Sequence, residues 1–437
     1  MRKRFFKKAL ALTLASTMAF SMAGCGSSKD SSEGKSDDGT ITLNVWHQWS
    51  NDTNELKSRY EEAVKAYEKE NPKVKIKTET LDTEAYKTKI NAEFAGDAKG
   101  IDVFYWWGAG TAKKLVDAGK VMPLDDYITD EVKSNMMEGS TSAFEYDGKL
   151  YSVPMFSWYM TLFCNKALFE KAGAKLPNTY DELADAVKKL EKLKGVTPMA
   201  AGAKDGWNAA FVYQALALRE VGATGVNEML SGKKEFGDEG YTKAAEKVKD
   251  LYEMGAFGDN PLEQGNDDAN AAFENGKAAM RIMGSWFANN VYTDKAATVK
   301  PEDVVALKIP TISDGKGEAT DYCGGFVESF WVNNNTKYKE EAAKFAIYIN
   351  EKMGVASYET GSGFSGWKTK ADESKLNPLF IQIKDLLSEG KQGVLAWDTS
   401  LEAEPAAVHN EQVQTLFADG ADVKAFIEEH KAAINGK

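Results

Sequence analysis

Of the ten tryptophans, all but Trp331 fall in loops or where strands are expected to end: Trp46, Trp49, Trp106, Trp107, Trp158, Trp207, Trp286, Trp367 and Trp397. An indole face matches the apolar C–H face of a pyranose ring, and acids or amides match its rim of hydroxyls. Polar groups stand beside several of these indoles: His47 and Gln48 after Trp46, Asp205 and Asn208 around Trp207, and Asp398 after Trp397. Asp82 stands in a loop of the first half, and an ionised carboxylate accepts two hydroxyls well. Several platforms flanked by acids suit an oligosaccharide better than a single amino acid. A free amino acid calls for a basic clamp, and Arg59, Arg219 and Arg281 fall inside expected helices or a strand. Each tryptophan taken alone also fits a core position, and most acids in so acidic a chain are solvated surface.

A second chemistry sits at the start of the chain. Arg2, Lys3, Arg4, Lys7 and Lys8 precede an apolar run to Met22, too short for a comfortable bilayer span. The sequence Met22-Ala23-Gly24-Cys25 ends that run as a lipobox does, so residues 1–24 are expected to be a signal peptide and Cys25 the acylated N terminus. Stable anchoring needs more than one chain, which a diacylglycerol thioether supplies. Residues 25–39 carry no large apolar side chain and are expected to tether the body.

Loss of residues 1–24 removes five positive and no negative side chains, so the formal charge moves from -12 to -17. Such a surface disfavours nucleic acid and anionic partners and favours a neutral ligand. The roughly 400 residues of the body exceed what one core usually supports, so two lobes are expected. Cys164 and Cys323 are expected to be free thiols, since a domain of this size needs no disulfide framework.

The elements that would position these groups follow from periodicity. Residues 41–46 alternate as a strand; Leu56, Tyr60, Ala63, Val64 and Tyr67 recur as a helix that ends at Asn71-Pro72. Strands follow at 74–78 and 102–106, with a helix around 86–94 between them. Strand, helix, strand, helix, strand predicts an α/β lobe whose largely parallel sheet binds ligand at the carboxyl ends of its strands. The second half repeats such units: a strand over 159–165, helices over 166–172, 180–193, 208–220, 242–254 and 268–275, and a strand over 278–283.

Three ordered segments then resemble a family: Asp147-Gly148-Lys149-Leu150-Tyr151-Ser152-Val153-Pro154, Asn165 to Gly173, and Pro177-Asn178-Thr179-Tyr180-Asp181-Glu182-Leu183. With Phe273 to Met280 leading to Gly284-Ser285-Trp286, they resemble the family 1 extracellular solute-binding proteins, maltose-binding-protein-like receptors of carbohydrate ABC importers. The resemblance implies a two-lobed periplasmic-binding-protein-like fold of type II, with lobes of residues 40–152 plus 285–328 and 153–284 plus 329–437. It places hinge crossings near 151–156, 283–286 and 326–332. Ligand contacts are implied for Trp207 and Trp397 in the second lobe, for Trp106 and Trp107 in the first, for Trp286 just past the expected crossing at 283–286, and for His47 and Gln48 after the first strand. Trp46, Trp158, Trp367, Asp82, Asp205, Asn208 and Asp398 complete the expected site. The family further implies a monomeric receptor on the outer face of the cell membrane, a Gram-positive surface first of all, that hands sugar to permease subunits without a cofactor.

A lipid-anchored glycoside hydrolase shares the platforms and paired acids. No other enzyme signature accompanies them: the three histidines form no H-E-x-x-H helix, and Gly361-Ser362-Gly363-Phe364-Ser365-Gly366 lacks the G-x-S-x-G register. A receptor for peptides or another solute is the third class.

Overall fold

The computed structural model describes residues 39–51, 54–294 and 296–436. The expected signal peptide, Cys25 and all of the tether but Gly39 lie outside the described residues. Among the described residues, no helix is long and apolar enough to cross a membrane.

Two hydrophobic cores form, each around its own sheet. In the first lobe, Ile41–His47 lies between Val74–Thr80 and Val103–Trp107, all parallel, and Glu328–Val332 closes the other side of Val103–Trp107 antiparallel. The parallel strands require crossovers, which the helices Glu55–Glu70 and Thr83–Ala95 supply. Asn54 and Asp82 start those helices by accepting backbone N–H groups of Leu56 (2.9 Å) and Ala85 (3.2 Å). Leu56, Tyr60 and Tyr67 are buried, as their spacing predicts, and Tyr67 meets Phe345 of the helix Lys339–Glu359 at 5.0 Å between ring centroids.

In the second lobe the long strand Phe156–Asn165 organises the sheet, flanked by Asp321–Phe326 on one side and by Ala278–Gly284 on the other. Thr197–Met199 extends the sheet beyond Ala278–Gly284, and Gln392–Val394 extends it beyond Asp321–Phe326. The helix Gly206–Leu230 crosses the lobe interior, buried at every position from Asn208 to Ala223. It runs ten residues past the end expected at 220, across a break at Gly222, whose φ of 79° only glycine adopts at little cost. Thr179 and Glu182 form a reciprocal capping box that starts the helix Tyr180–Leu190.

Two expectations about the lobes need correction. Residues 285–328 were expected in the first lobe, yet Phe287, Val291, Val304, Ala306, Ile309 and Cys323 pack in the second core. Val304–Leu307 explains this, since it pairs with Phe156–Asn165. Conversely Phe330, Trp331, Phe345, Ile349, Met353 and Trp367 belong to the first core, because Glu328–Val332 joins the first sheet and Lys339–Glu359 covers it. The chain therefore crosses between cores at Phe156–Trp158 and between Cys323 and Phe326, and returns to the second core between Val355 and Tyr358, with Trp367 reaching back into the first. It does not cross at 283–286, where Met283 and Phe287 share the second core. Cys164 and Cys323 are buried and free, and burial raises both thiols above the usual range.

Candidate ligand cleft

Trp107 ends the strand Val103–Trp107 of the first lobe, and Trp207 lies in the first turn of Gly206–Leu230 in the second. Both indoles are only partly buried. Between them lies Lys87, from the middle of Thr83–Ala95: its ammonium is 5.2 Å from the Trp107 ring centroid and 5.8 Å from that of Trp207. Glu84, one turn earlier, holds the same ammonium at 3.1 Å. A cation over two π-faces from opposite lobes marks the space where the lobes meet.

Behind Trp207 the second lobe builds an aromatic bank. Phe211 meets Trp207 edge-on at 5.3 Å and stacks on Trp158 at 5.3 Å and 24°; Trp158 in turn meets Trp286 at 5.1 Å. Trp207 and Trp286 keep partly open faces, while Trp158 and Phe211 are buried and brace them. The sequence marks all three of these tryptophans; the structure gives Trp158 the supporting place.

At the crossover of the chain between lobes, Glu328 stands opposite Trp107 in strand register. Burial pushes its carboxyl up to about 8, against the opposing contacts of the Trp107 indole and the Tyr105 hydroxyl. The turn Trp397–Ser400 of the second lobe rests on the helix Gly110–Asp117 of the first lobe. Thr111 donates its hydroxyl to the carbonyls of Asp398 (3.4 Å) and Thr399 (3.2 Å). A Cβ on Gly110 would lie 2.2 Å from the Leu401 carbonyl oxygen, so only glycine permits this approach. Asp398 is partly exposed here; burial raises its carboxyl pKa and the Lys87 charge opposes the shift.

The other expected site residues lie elsewhere. Trp397 is 1 % exposed, boxed by Tyr213, Tyr241 and His409 in the second core, so it is no open platform. Trp367 is likewise buried, its indole N–H donating to the Pro154 carbonyl at 2.7 Å. Trp46 packs in the first core with Lys89 at 4.3 Å over its ring. Trp106 is buried on the side facing Tyr86, and its indole N–H has no hydrogen-bond partner among the described residues.

His47 is packed between Tyr60 and Trp49, at 4.2 and 5.1 Å between centroids. Its Nδ1 accepts the Trp49 backbone N–H at 3.2 Å, and burial drives its pKa down to about 3, so the ring is neutral. Gln48 is half-buried with its Oε1 lacking a partner among the described residues, an acceptor that a ligand hydroxyl would satisfy. Asp82 caps its helix from an exposed position. Asp205 accepts the Asn266 backbone N–H at 2.6 Å, and Asn208 accepts from the buried Arg281 guanidinium at 3.2 Å. Those two organise the second lobe beneath the bank.

Lys87, Thr111 and Glu328 are the cleft residues that sequence reasoning missed. Lys87 falls one helical turn after Glu84 in the helix that Asp82 caps, a phase the sequence carries. The place of Glu328 depends on a strand pairing more than two hundred residues apart in the chain, which no local pattern encodes.

This architecture has known counterparts. Residues 50–356 match the family model described as bacterial extracellular solute-binding protein. The multiple sugar-binding protein of Streptococcus mutans is 25% identical over 395 residues, covering 86% of each chain. The galactooligosaccharide-binding protein of Bacillus subtilis is 28% identical, over 84% of this chain and 82% of the relative. Among solved structures, one described in work on xylan utilisation by the thermophile Caldanaerobius polysaccharolyticus is 36% identical, with a TM-score of 0.85 over 90% of this chain and 99% of that one. A chitin oligosaccharide binding protein shares the fold at a TM-score of 0.81 and 23% identity, over 91% of this chain and 98% of that one. With two α/β lobes, three crossovers and a family match spanning most of its length, the chain belongs to the bacterial extracellular solute-binding proteins.

Proposed function

We propose that this chain is the substrate-binding lipoprotein of an ABC importer, which captures a neutral oligosaccharide between its lobes and delivers it to permease subunits. The observation that carries this reading is the pair of half-open indoles, Trp107 and Trp207, that flank Lys87 from opposite lobes. A sugar ring held between such faces touches both lobes at once, and a ligand that contacts both lobes stabilises their closed arrangement. Trp286 extends the apolar bank for a further ring, while Gln48 and Asp398 offer acceptors to hydroxyls. Relatives named for sugars support the ligand class, and the 36% identity to the protein from xylan utilisation makes xylo-oligosaccharides the first series to test.

Acylation of Cys25 would hold the monomeric receptor at the outer face of the membrane. The protein binds its ligand without altering it. The deciding experiment is calorimetric titration with xylo-, malto-, manno- and galacto-oligosaccharides, with product analysis of each mixture. Saturable binding with intact sugar is expected. Sugar turnover would overturn the receptor reading, and binding of peptides alone would overturn the sugar reading.

A further inference from the structure

Behind Trp397 four polar groups join end to end across the second lobe. The Trp397 backbone N–H lies 3.3 Å from Gln214 Oε1, and Gln214 Nε2 lies 3.1 Å from His409 Nε2. His409 Nδ1 lies 2.9 Å from His430 Nε2, and His430 Nδ1 lies 2.9 Å from the Phe426 carbonyl oxygen. Both imidazoles are fully buried.

The last carbonyl fixes every proton in this row. A carbonyl only accepts, so His430 Nδ1 carries hydrogen and, in the neutral ring, Nε2 is a lone pair. His409 Nδ1 must then donate, its Nε2 must accept, and Gln214 must turn its amide nitrogen to His409 and its oxygen to Trp397. Neutrality is secured by the surroundings: Phe236 stacks on His430, Trp397 covers His409, and burial lowers His430 to about 4 and holds His409 well below the usual imidazole range. The row thus has one self-consistent arrangement, with each of its four hydrogen bonds running from a donor to an acceptor.

The chain ends on the turn whose carbonyls meet Thr111 of the first lobe and whose next residue is Asp398. We propose that Gln214, His409 and His430 are positioning residues for the cleft: their one-directional hydrogen-bond chain fixes the Trp397–Ser400 turn against the first lobe and so sets how tightly ligand is held. The link to affinity rests on the receptor reading above; the link to the turn does not.

Two ligand-free measurements test it. The full chain has three histidines, and nitrogen-15 spectra of the side chains are expected to show two neutral Nδ1–H rings, His409 and His430, and one neutral Nε2–H ring, His47. An Nε2–H form or a charged ring at neutral pH for His409 or His430 overturns the proposal. Gln214→Glu keeps the acceptor for Trp397 but faces His409 Nε2 with an oxygen, so the row no longer closes without an added proton. Amide exchange at residues 397–400 is expected to quicken about tenfold in this variant, the loss of roughly one buried hydrogen bond. Unchanged exchange overturns the proposal, and should the variant fail to fold, the wild-type spectra decide. Titration with xylotriose then separates the two readings: wild-type chain that binds no sugar sinks the sugar reading alone, whereas Gln214→Glu that binds as wild type sinks the role in affinity.

Discussion

The ammonium of Lys87 and the indole of Trp207 belong to different lobes and lie 5.8 Å apart, nitrogen to ring centroid. The ammonium lies between two indoles and joins the lobes; under the proposed function a ligand ring would take its place, so it would have to yield. Lys87→Ala is expected to remove a cross-lobe attraction of roughly 0.5–1 kcal/mol and leave the ligand-free chain more open. Small-angle scattering reads this as a larger radius of gyration, and an unchanged profile would show that Lys87 does not hold the lobes together.

Trp207 and Trp397 separate binding from packing. Trp207→Ala removes a half-open face, so xylo-oligosaccharide affinity should drop by tenfold or more, roughly the 1–3 kcal/mol of a stacked ring, with little change in ligand-free melting. Trp397→Ala empties a place in the second core and should cost about 3–5 kcal/mol of stability. Equal melting of the two variants would contradict the structure.

Glu328 predicts the pH dependence of stability. Its folded pKa, about 8, lies above the ordinary glutamate value of 4.5, so the folded chain holds a proton that the unfolded chain has released across that interval. Its contribution is fully present below 4.5 and is lost as pH rises through 8. Denaturant midpoints should therefore fall between pH 5 and 8, and Glu328→Gln should flatten this decline. A decline of the same slope in the variant would assign the effect to other groups.

Cys25→Ala should release the receptor into the medium with its fold and ligand affinity intact. Under the proposed acylation of Cys25, uptake of the same sugar should then slow, because release would lower the effective concentration of receptor near its permease. Retention of the variant at the membrane would show that another element anchors it.

How much of this was legible beforehand depends on the range of the interaction. Strands 41–46 and 102–106 and the helix carrying Leu56, Tyr60 and Tyr67 were readable because burial on a regular element repeats at short spacing. The lobe of residues 304–307 was not, because alternation marks a strand without naming its neighbour. Trp397 looked like a platform beside Asp398, but its burial comes largely from Tyr213 and Tyr241, distant in sequence, together with His409 of the following helix. Capping acids misled in the other direction. Asp82 serves the start of a helix and Asp205 the backbone of Asn266, local tasks that use the same carboxylate chemistry as sugar binding.

The close approach at Gly110 carries a consequence for how such receptors diversify. The first lobe meets Ser400 and Leu401 there through main-chain atoms, with no room for a side chain. A contact made of backbone is indifferent to residue identity on the aromatic faces. Under the proposed function, a substitution at Trp286, which takes no part in the Lys87 contact, can therefore change the face offered to a sugar while the docking of the lobes stays as it is. At Gly110 itself any replacement moves the lobes apart, so cargo is free to change only where the frame is not.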